Sequence, residues 1–379
     1  MKKSMSVAAA AAVLAGIVTA AAPAGAAGAP AGTAAACTPS LKALGTVASK
    51  EPSAHDNDSV LALGAPKFAA GRSANLPVYW TGTTVHKVPL PHPADTGAVL
   101  AVNTKNLMVG QFRSGVDAKV RGFSYKAGDP AVKVLPEMYW QRDAIDVNDA
   151  GTIVMTGADG VGFVWKNGKE ARRLALPADT GPDTRLVTTV ALNKRGDIVG
   201  VAEQDHEVPE TGQRIWRTYP VLWPAGGKPA KALPDSAGGH YWTQEVQDID
   251  NSGRVVGYDW HGPWHEYRPS YQADQSKPGI DPGRLGAFPY GTFEAISPTT
   301  NVSVGTAKYH PEVTVLPDQA QYWPGFGPVL GLPRLSPNGA SAAEAVSDSD
   351  RVGGSAVNAK GVRKPVVWTC ASRQASLPQ

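Results

Sequence analysis

The densest group of side chains able to carry chemistry lies between residues 259 and 267, which read Asp-Trp-His-Gly-Pro-Trp-His-Glu-Tyr. Asp259, His265 and Glu266 are the acid and base types that a polysaccharide lyase or hydrolase positions about a sugar ring. His261 and His265 are metal-ligating types four residues apart, but the Gly-Pro pair between them opposes the helix that would align them. Spacing alone does not bring these groups onto one substrate. We therefore assign no catalytic residue, metal site or cofactor and keep both chemistries as alternatives.

Aromatic side chains give the same region a second kind of chemistry, because flat rings stack on sugars and bury area against protein partners. Five of the ten tryptophans and six of the eight histidines fall on two sets of loops, which share one face of the fold predicted below. The alternative is that these rings only pack the long loops onto the body of the protein. The candidate ligand-binding residues are Trp140, His240, Trp242, Asp259, Trp260, His261, Trp264, His265, Glu266 and Tyr267.

The elements that must position these residues come from a repeat. A polar turn rich in Asn, Asp and Gly, followed by a short aliphatic strand, occurs seven times, as in residues 193–200 and 250–257. Asn, Asp and Gly tolerate the positive φ angles of tight hairpins, so each turn is predicted to join two antiparallel strands, a and b. The turns also resemble calcium loops, but they are short and lack the downstream Glu, so ordinary hairpins are expected. The copies end at residues 64, 110, 155, 200, 257, 305 and 354, a mean period of about 48 residues.

A second landmark follows most of the turns, namely a small residue or proline three positions before an aromatic ring, as in Pro77 to Trp80. This segment is predicted as strand c, and a further strand d ends in Leu-Pro or a close variant, as at residues 233–234. The fifth copy is degenerate, because Gln272 occupies the aromatic position. Four short antiparallel strands repeated seven times predict an all-β, seven-bladed β-propeller, with an open solenoid as the structural alternative.

Closure of the ring is predicted from the two ends of the chain. The two cysteines, Cys37 and Cys370, flank the repeats, and a ring brings the first and last repeats together whereas a solenoid separates them. One additional strand-like segment, residues 40–47, precedes the first a strand. We expect it to fill the d position of the seventh blade, locked by a Cys37–Cys370 disulfide. Residues 372–378 are the alternative outer strand.

The start of the chain is typical of a secretory leader. Lys2 and Lys3 form a charged region, residues 7–22 are apolar, and Ala-Gly-Ala at 24–26 fits a cleavage site after Ala26. A membrane anchor is disfavoured because Pro and Gly interrupt the apolar stretch, and a lipid on Cys37 because the apolar stretch lies too far upstream. The predicted organisation is a signal peptide over residues 1–26, a disordered mature N-terminus over 27–36 and a single seven-repeat propeller over 37–379.

The charge of the chain restricts the kinds of partner that it can attract. The formal net charge is +3, and Lys2 and Lys3 of the predicted leader supply two of those charges. The remainder has no run of Lys or Arg that would attract nucleic acid or an anionic membrane surface. We expect a secreted, extracellular monomer without a nucleic-acid partner and without stable membrane insertion.

The paired landmarks resemble those of the HAF-repeat family of extracellular bacterial proteins. Gly162-Phe163-Val164-Trp165 and Gly122-Phe123-Ser124-Tyr125 stand closest to the His-Ala-Phe consensus of that family, although the histidine is absent from every copy. The resemblance covers residues 39 to 378. It implies a secreted repeat protein that folds as a propeller, and it implies no activity.

In a propeller the a–b and c–d turns share one face, which we call the lower face, and the b–c and d–a connections share the other, the upper face. The longest segments here are b–c connections, near residues 203–218, 258–268 and 307–318. Function in scaffolded folds usually lies on such variable loops. The sequence predicts a non-catalytic propeller that binds a polysaccharide or other glycan, or an extracellular protein, on its upper face. The alternative is a carbohydrate-active enzyme, a polysaccharide lyase or hydrolase, using the same face.

Overall fold

A computed structural model describes residues 37–378 except 139–144, 179, 182, 208–211, 213, 235–241, 262–265 and 310–315. For His206, Trp242, Thr243 and His261 only the backbone is described. The chain forms seven antiparallel sheets arranged around a central channel, so the predicted seven-bladed β-propeller is confirmed.

The blades are numbered one to seven along the chain. A first strand, β1 (Ser40–Ala43), precedes blade one. Blades one to three comprise β2 (Ser59–Leu63), β3 (Phe68–Ser73), β4 (Leu76–Thr81) and β5 (Thr84–Lys87); β6 (Thr96–Val102), β7 (Leu107–Arg113), β8 (Val120–Lys126) and β9 (Lys133–Glu137); and β10 (Ile145–Val147), β11 (Ile153–Thr156), β12 (Gly162–Lys166) and β13 (Lys169–Arg173).

Blades four to seven comprise β14 (Arg185–Leu192), β15 (Ile198–Glu207), β16 (Arg214–Trp223) and β17 (Lys231–Ala232); β18 (Trp242–Ile249), β19 (Val255–His261) and β20 (Glu266–Gln272); β21 (Tyr290–Ile296), β22 (Ser303–Lys308), β23 (Gln319–Trp323) and β24 (Leu330–Gly331); and β25 (Ser341–Ser347), β26 (Arg351–Val357) and β27 (Arg363–Thr369) with β1. In blade five a single β-bridge between Tyr271 and Ile280 occupies the position that the fourth strand occupies in the other blades. The described helical turns are the short 3-10 helices Pro52–His55, Ala225–Gly227 and Ala371–Arg373.

The repeated polar turn folds because its first side chain satisfies the turn backbone. Asn193 Oδ1 accepts hydrogen bonds from the N–H groups of Arg195, Gly196 and Asp197, and Gly196 has a φ of 92°. The Asn193 Nδ2 group then donates to the carbonyl of Asp250 in the next blade, at 2.9 Å. The repeated motif therefore both closes a hairpin and joins neighbouring blades.

The proline that precedes the aromatic residue in strand c lies opposite the point where strand d stops pairing. The backbone N–H of Val88 donates to the Pro77 carbonyl, and Leu233 makes the same contact to Pro220. Proline has no N–H to extend the ladder. Three residues later, the indole of Trp80 donates to the Gly45 carbonyl of the neighbouring blade at 2.7 Å.

The ring closes as predicted. Strand β1 pairs antiparallel with β27, from Ser40 opposite Thr369 to Ala43 opposite Val366, and Cys37 is disulfide-bonded to Cys370. The alternative outer strand is not used in blade seven, because Ser376 instead exchanges two backbone hydrogen bonds with Gly331 of blade six.

The apolar core lies between adjacent blades. Val256 and Tyr271 of blade five, for example, pack in one buried cluster with Phe293 and Trp323 of blade six. Each such large side chain contributes about 1.5–3 kcal/mol when fully buried. The result is a rigid frame for the loops and for the channel.

Candidate functional site

The predicted cluster is built on the hairpin of β19 and β20, which rises to the upper face. In its register His261 lies opposite Glu266, Trp260 opposite Tyr267, and Asp259 opposite Arg268. On the other side of β19, Trp242 lies opposite His261. The predicted candidates Trp140, His240, Trp264 and His265 fall outside the described residues.

Aromatic rings of this hairpin face blade six, because they alternate with the side chains that face blade four. The rings of Tyr258 and Tyr267 meet edge to face, with centroids 5.7 Å apart. The Lys308 ammonium of blade six lies 5.6 Å from the centroid of the Tyr267 ring. Trp260 is half-buried, with its indole nitrogen buried. Exposed rings at Trp140, Trp242 and Trp264 remain a prediction.

The two candidate carboxylates of the hairpin are held differently. Asp259 is only 6% exposed and shares its sheet face with Gln244 and Ser270, whose side chains are 3.4 Å apart. Glu266 forms an ion pair of 2.8 Å with Arg268. Asp259 is therefore withdrawn from the surface, whereas Glu266 stays partly exposed and has Arg268 as its charge partner.

An exposed tryptophan of blade four extends this face. Residues 203–218 were expected to form a loop, but β15 and β16 continue through most of it as a paired hairpin. Trp216 on this hairpin is 48% exposed, and the guanidinium carbon of Arg185 lies 4.3 Å from the ring centroid. Arg185 is itself ion-paired with Glu203. The sequence indicated a loop tryptophan here but gave no signal of the strand that presents it.

A cavity of about 820 Å³ occupies the central channel toward the lower face, opposite to the predicted binding face. It is lined by the a strands and a–b turns of all seven blades. In six blades strand a contains a β-bulge, and the bulged residue lines the cavity. These residues are Leu61, Leu100, Val190, Gln247, Glu294 and Glu344.

Carboxyl groups in the channel wall hold protons more tightly than usual. Desolvation raises the pKa of Asp146 to about 6 and that of Asp248 to about 8, although each accepts backbone N–H bonds that favour the ionised form. Desolvation, followed by repulsion from Glu294, raises the pKa of Glu344 to about 7. The channel therefore gains negative charge as the pH rises through neutrality.

The described residues contain no group of three or more His, Cys, Asp or Glu side chains placed to hold a metal ion. Within the same ranges no helix has the length and apolarity needed to cross a membrane.

No family model matches the chain, and no curated protein matches it. Among solved structures, the β-propeller domain of the Trilobed protease from Pyrococcus furiosus is similar, with a TM-score of 0.53 and 10% identity over 82% of this chain and 94% of that one. Porphyromonas gingivalis dipeptidyl peptidase 4 gives a TM-score of 0.45 and 10% identity over 86% of this chain and 56% of that one. A Hadza microbial sialidase gives a TM-score of 0.40 and 10% identity over 82% of this chain and 73% of that one. At these identities, the first of the three likenesses shows a shared β-propeller fold and nothing further.

Proposed function

We propose that this chain is a secreted, non-catalytic β-propeller that binds a glycan or an extracellular protein on its upper face. The observation that carries the proposal is the exposed ring of Trp216, which lies against Arg185 near the tip of a hairpin of two ten-residue strands. A tryptophan offers a large flat contact surface, and a ring already fixed in place loses little entropy on binding.

The neighbouring hairpin supports the same face. Trp260, Tyr258 and Tyr267 project from β19 and β20 beside blade six, and Lys308 lies over one of their rings. Aromatic rings beside polar and charged groups are typical of surfaces that recognise sugars or proteins. Blades four and five thus present two aromatic elements on one rigid frame.

The carbohydrate-active enzyme is the alternative on this face. It needs a general acid and a general base about one sugar ring. The burial of Asp259 and the pairing of Glu266 with Arg268 favour binding over that chemistry.

An array of plant and bacterial polysaccharides tests the proposal, read first for binding and then for release of reducing or unsaturated ends. We expect binding without release. Trp216→Ala should weaken binding about tenfold or more without lowering the melting temperature. Phe326→Ala is the matched control, because Phe326 is 76% exposed in a c–d turn on the lower face. Turnover of any polysaccharide would replace the binding role by the enzymatic one.

Secretion and the family resemblance belong to the same proposal. A disulfide that joins the chain ends suits an oxidising compartment. N-terminal sequencing of protein collected from the culture medium should begin at Ala27. Membership of the HAF-repeat family stays a prediction.

A further inference from the structure

We infer that the central channel binds a small amphiphilic amine, with its ammonium group against the carboxyl groups of Glu294 and Glu344 and its apolar body against the opposite wall. This site is separate from the upper face, and it exists whether or not that face binds a ligand.

The cavity has the size of a small-molecule site and a wall of two kinds. Its volume of about 820 Å³ lies within the range of roughly 300–1,000 Å³ that ligand pockets usually have. The residues at the β-bulges of strand a all line it, and all are half-buried. Those of blades one, two and four are aliphatic, whereas those of blades five, six and seven are polar or acidic, namely Leu61, Leu100 and Val190 against Gln247, Glu294 and Glu344. Neighbouring blades adjoin around the ring, so the aliphatic residues lie on one side of the channel and the acidic ones on the other.

The charged residues of the cavity wall are mostly acidic. One lysine and six carboxylate residues line it, namely Lys194, Asp146, Asp149, Asp248, Glu294, Glu344 and Asp348. A backbone N–H of an adjoining blade donates to four of the carboxylates, those of Asp146, Asp149, Asp248 and Asp348. These four hold the blades together. A wall of this charge attracts a cation and repels an anion.

Glu294 and Glu344 are the two wall carboxylates that form no bond between blades in the described part of the chain. Glu294 accepts one hydrogen bond, from the Thr292 hydroxyl at 2.7 Å. Glu344 has no hydrogen-bond or ion-pair partner among the described residues. Its carboxyl is nevertheless enclosed by protein, because desolvation is the largest cause of its raised pKa and repulsion from Glu294 is the second. An ammonium ion between the two carboxylates offsets both effects.

The divided wall favours an organic cation over a metal ion. The described residues provide no group of three or more His, Cys, Asp or Glu side chains placed to hold a metal. The aliphatic side of the channel offers nothing to a hydrated ion, whereas it removes a hydrocarbon body from water. An amine that carries such a body uses both sides of the cavity at once.

Three further cations act on Glu344 from neighbouring strands, but they do not line the cavity, namely Arg72, Lys308 and Arg363. They lower the pKa of Glu344, but desolvation and Glu294 outweigh them and hold it at about 7. Glu344 therefore loses its proton as the pH rises through neutrality. An alkylamine keeps its charge over the same range, since its pKa is close to the value of about 10.4 for lysine. The affinity for the amine should thus increase with pH.

Calorimetric titration with phenylbutylamine tests the inference, with phenylbutanol as the uncharged comparison and butylamine as the comparison without the ring. Phenylbutylamine should bind at least about tenfold more tightly than either. Glu344→Gln and, as a second variant, Glu294→Gln should each weaken the amine about tenfold or more and leave phenylbutanol unchanged. Glu51→Gln is the matched control, because Glu51 is exposed and does not line the cavity. It should leave both affinities unchanged.

The pH dependence gives a second readout. Wild-type affinity for phenylbutylamine should rise between about pH 5.5 and about pH 8, and Glu344→Gln should remove most of that rise. The remainder belongs to Asp146 and Asp248, which ionise in the same range.

Three results would overturn the channel site. Equal binding of phenylbutanol and phenylbutylamine, or wild-type affinity in both glutamine variants, would show that the carboxylates do not recognise the ligand. Equal binding of butylamine would show that the aliphatic side takes no part. If phenylbutylamine does not bind at all, the cavity is not an amine site.

Discussion

The carboxylate of Asp248 accepts a 2.9 Å hydrogen bond from the backbone N–H of Ile296 in the next blade. Asp146 makes the same contact to Leu192 at 2.7 Å. Two of the seven inner strands are thus tied to their successors by a carboxyl group that is poorly solvated. At the equivalent position the other five blades carry alanine, namely Ala62, Ala101, Ala191, Ala295 and Ala345.

These carboxyl groups should make the propeller less stable as the pH rises. The folded pKa of about 8 for Asp248 and about 6 for Asp146 lies above the unfolded value of 3.8. Between these values the folded chain binds more protons than the unfolded chain, so the free energy of unfolding falls with increasing pH. Melting temperatures measured between about pH 5 and about pH 9 should decrease, and Asp248→Asn should flatten the upper part of the curve. A melting temperature that rises over this range would contradict the desolvated carboxyl.

The polar turns should contribute stability in two separable parts. Asn148 Oδ1 accepts turn N–H groups, while its Nδ2 donates to the Asn193 carbonyl of the next blade. Asn148→Asp keeps the acceptor and removes the donor, so we expect a loss of about 1 kcal/mol in urea unfolding. Asn148→Ala removes both and should cost about 2–3 kcal/mol.

Blade five provides a natural control for the separation of the turn hydrogen bonds from the hydrogen bond to the next blade. There Asp250 replaces the asparagine, and Arg254, bound to Asp250, donates to the Thr299 carbonyl of blade six instead. Arg254→Ala should therefore cost about as much as Asn148→Asp. Equal losses for Asn148→Asp and Asn148→Ala would show that the inter-blade bond, and not the turn, provides the stability.

The Cys37–Cys370 disulfide should stabilise the closed ring against unfolding. It closes a loop of more than 300 residues, for which the chain-entropy model gives roughly 3–5 kcal/mol. Cys37→Ala with Cys370→Ala should lower the melting temperature strongly in non-reducing buffer, to the value that the wild type shows in a thiol reductant. An unchanged melting temperature would mean that β1 is held by its sheet pairing alone.

The indole hydrogen bond of a buried strand-c tryptophan should stabilise the fold, whereas an exposed tryptophan on the upper face should not. Trp80 is fully buried and donates to Gly45, so Trp80→Phe should cost about 1–2 kcal/mol. Trp216→Phe, at an exposed position, should leave stability within about 0.5 kcal/mol of the wild type. Chemical denaturation of the two variants in parallel checks the contrast.

The number of blades could be predicted because it is specified locally, and the closure of the ring because the two cysteines and an additional strand-like segment mark the two ends of the repeats. A turn such as residues 193–197 satisfies its own backbone, and its repetition counts the blades. The degenerate fifth copy was also visible, since Gln272 fills an aromatic position in the blade that has three paired strands.

The candidate site was harder to predict because it depends on distance in space. Residues 203–218 are mostly strand because Asp205 and Trp216 pair across the hairpin, which no local signal showed. The same holds for the channel carboxyls, whose pKa shifts arise from desolvation in a channel that seven repeats form together.

Hydrogen exchange with and without the tightest-binding ligand from the array tests the central claim, that the upper face is the binding face, most directly. The account predicts slower exchange in the two upper hairpins, at residues 203–207 and 214–218 of blade four and 258–261 and 266–268 of blade five. The turns that line the channel cavity, such as 101–104 and 247–251, should exchange as before. Protection confined to those turns would place the ligand in the lower cavity and contradict the account.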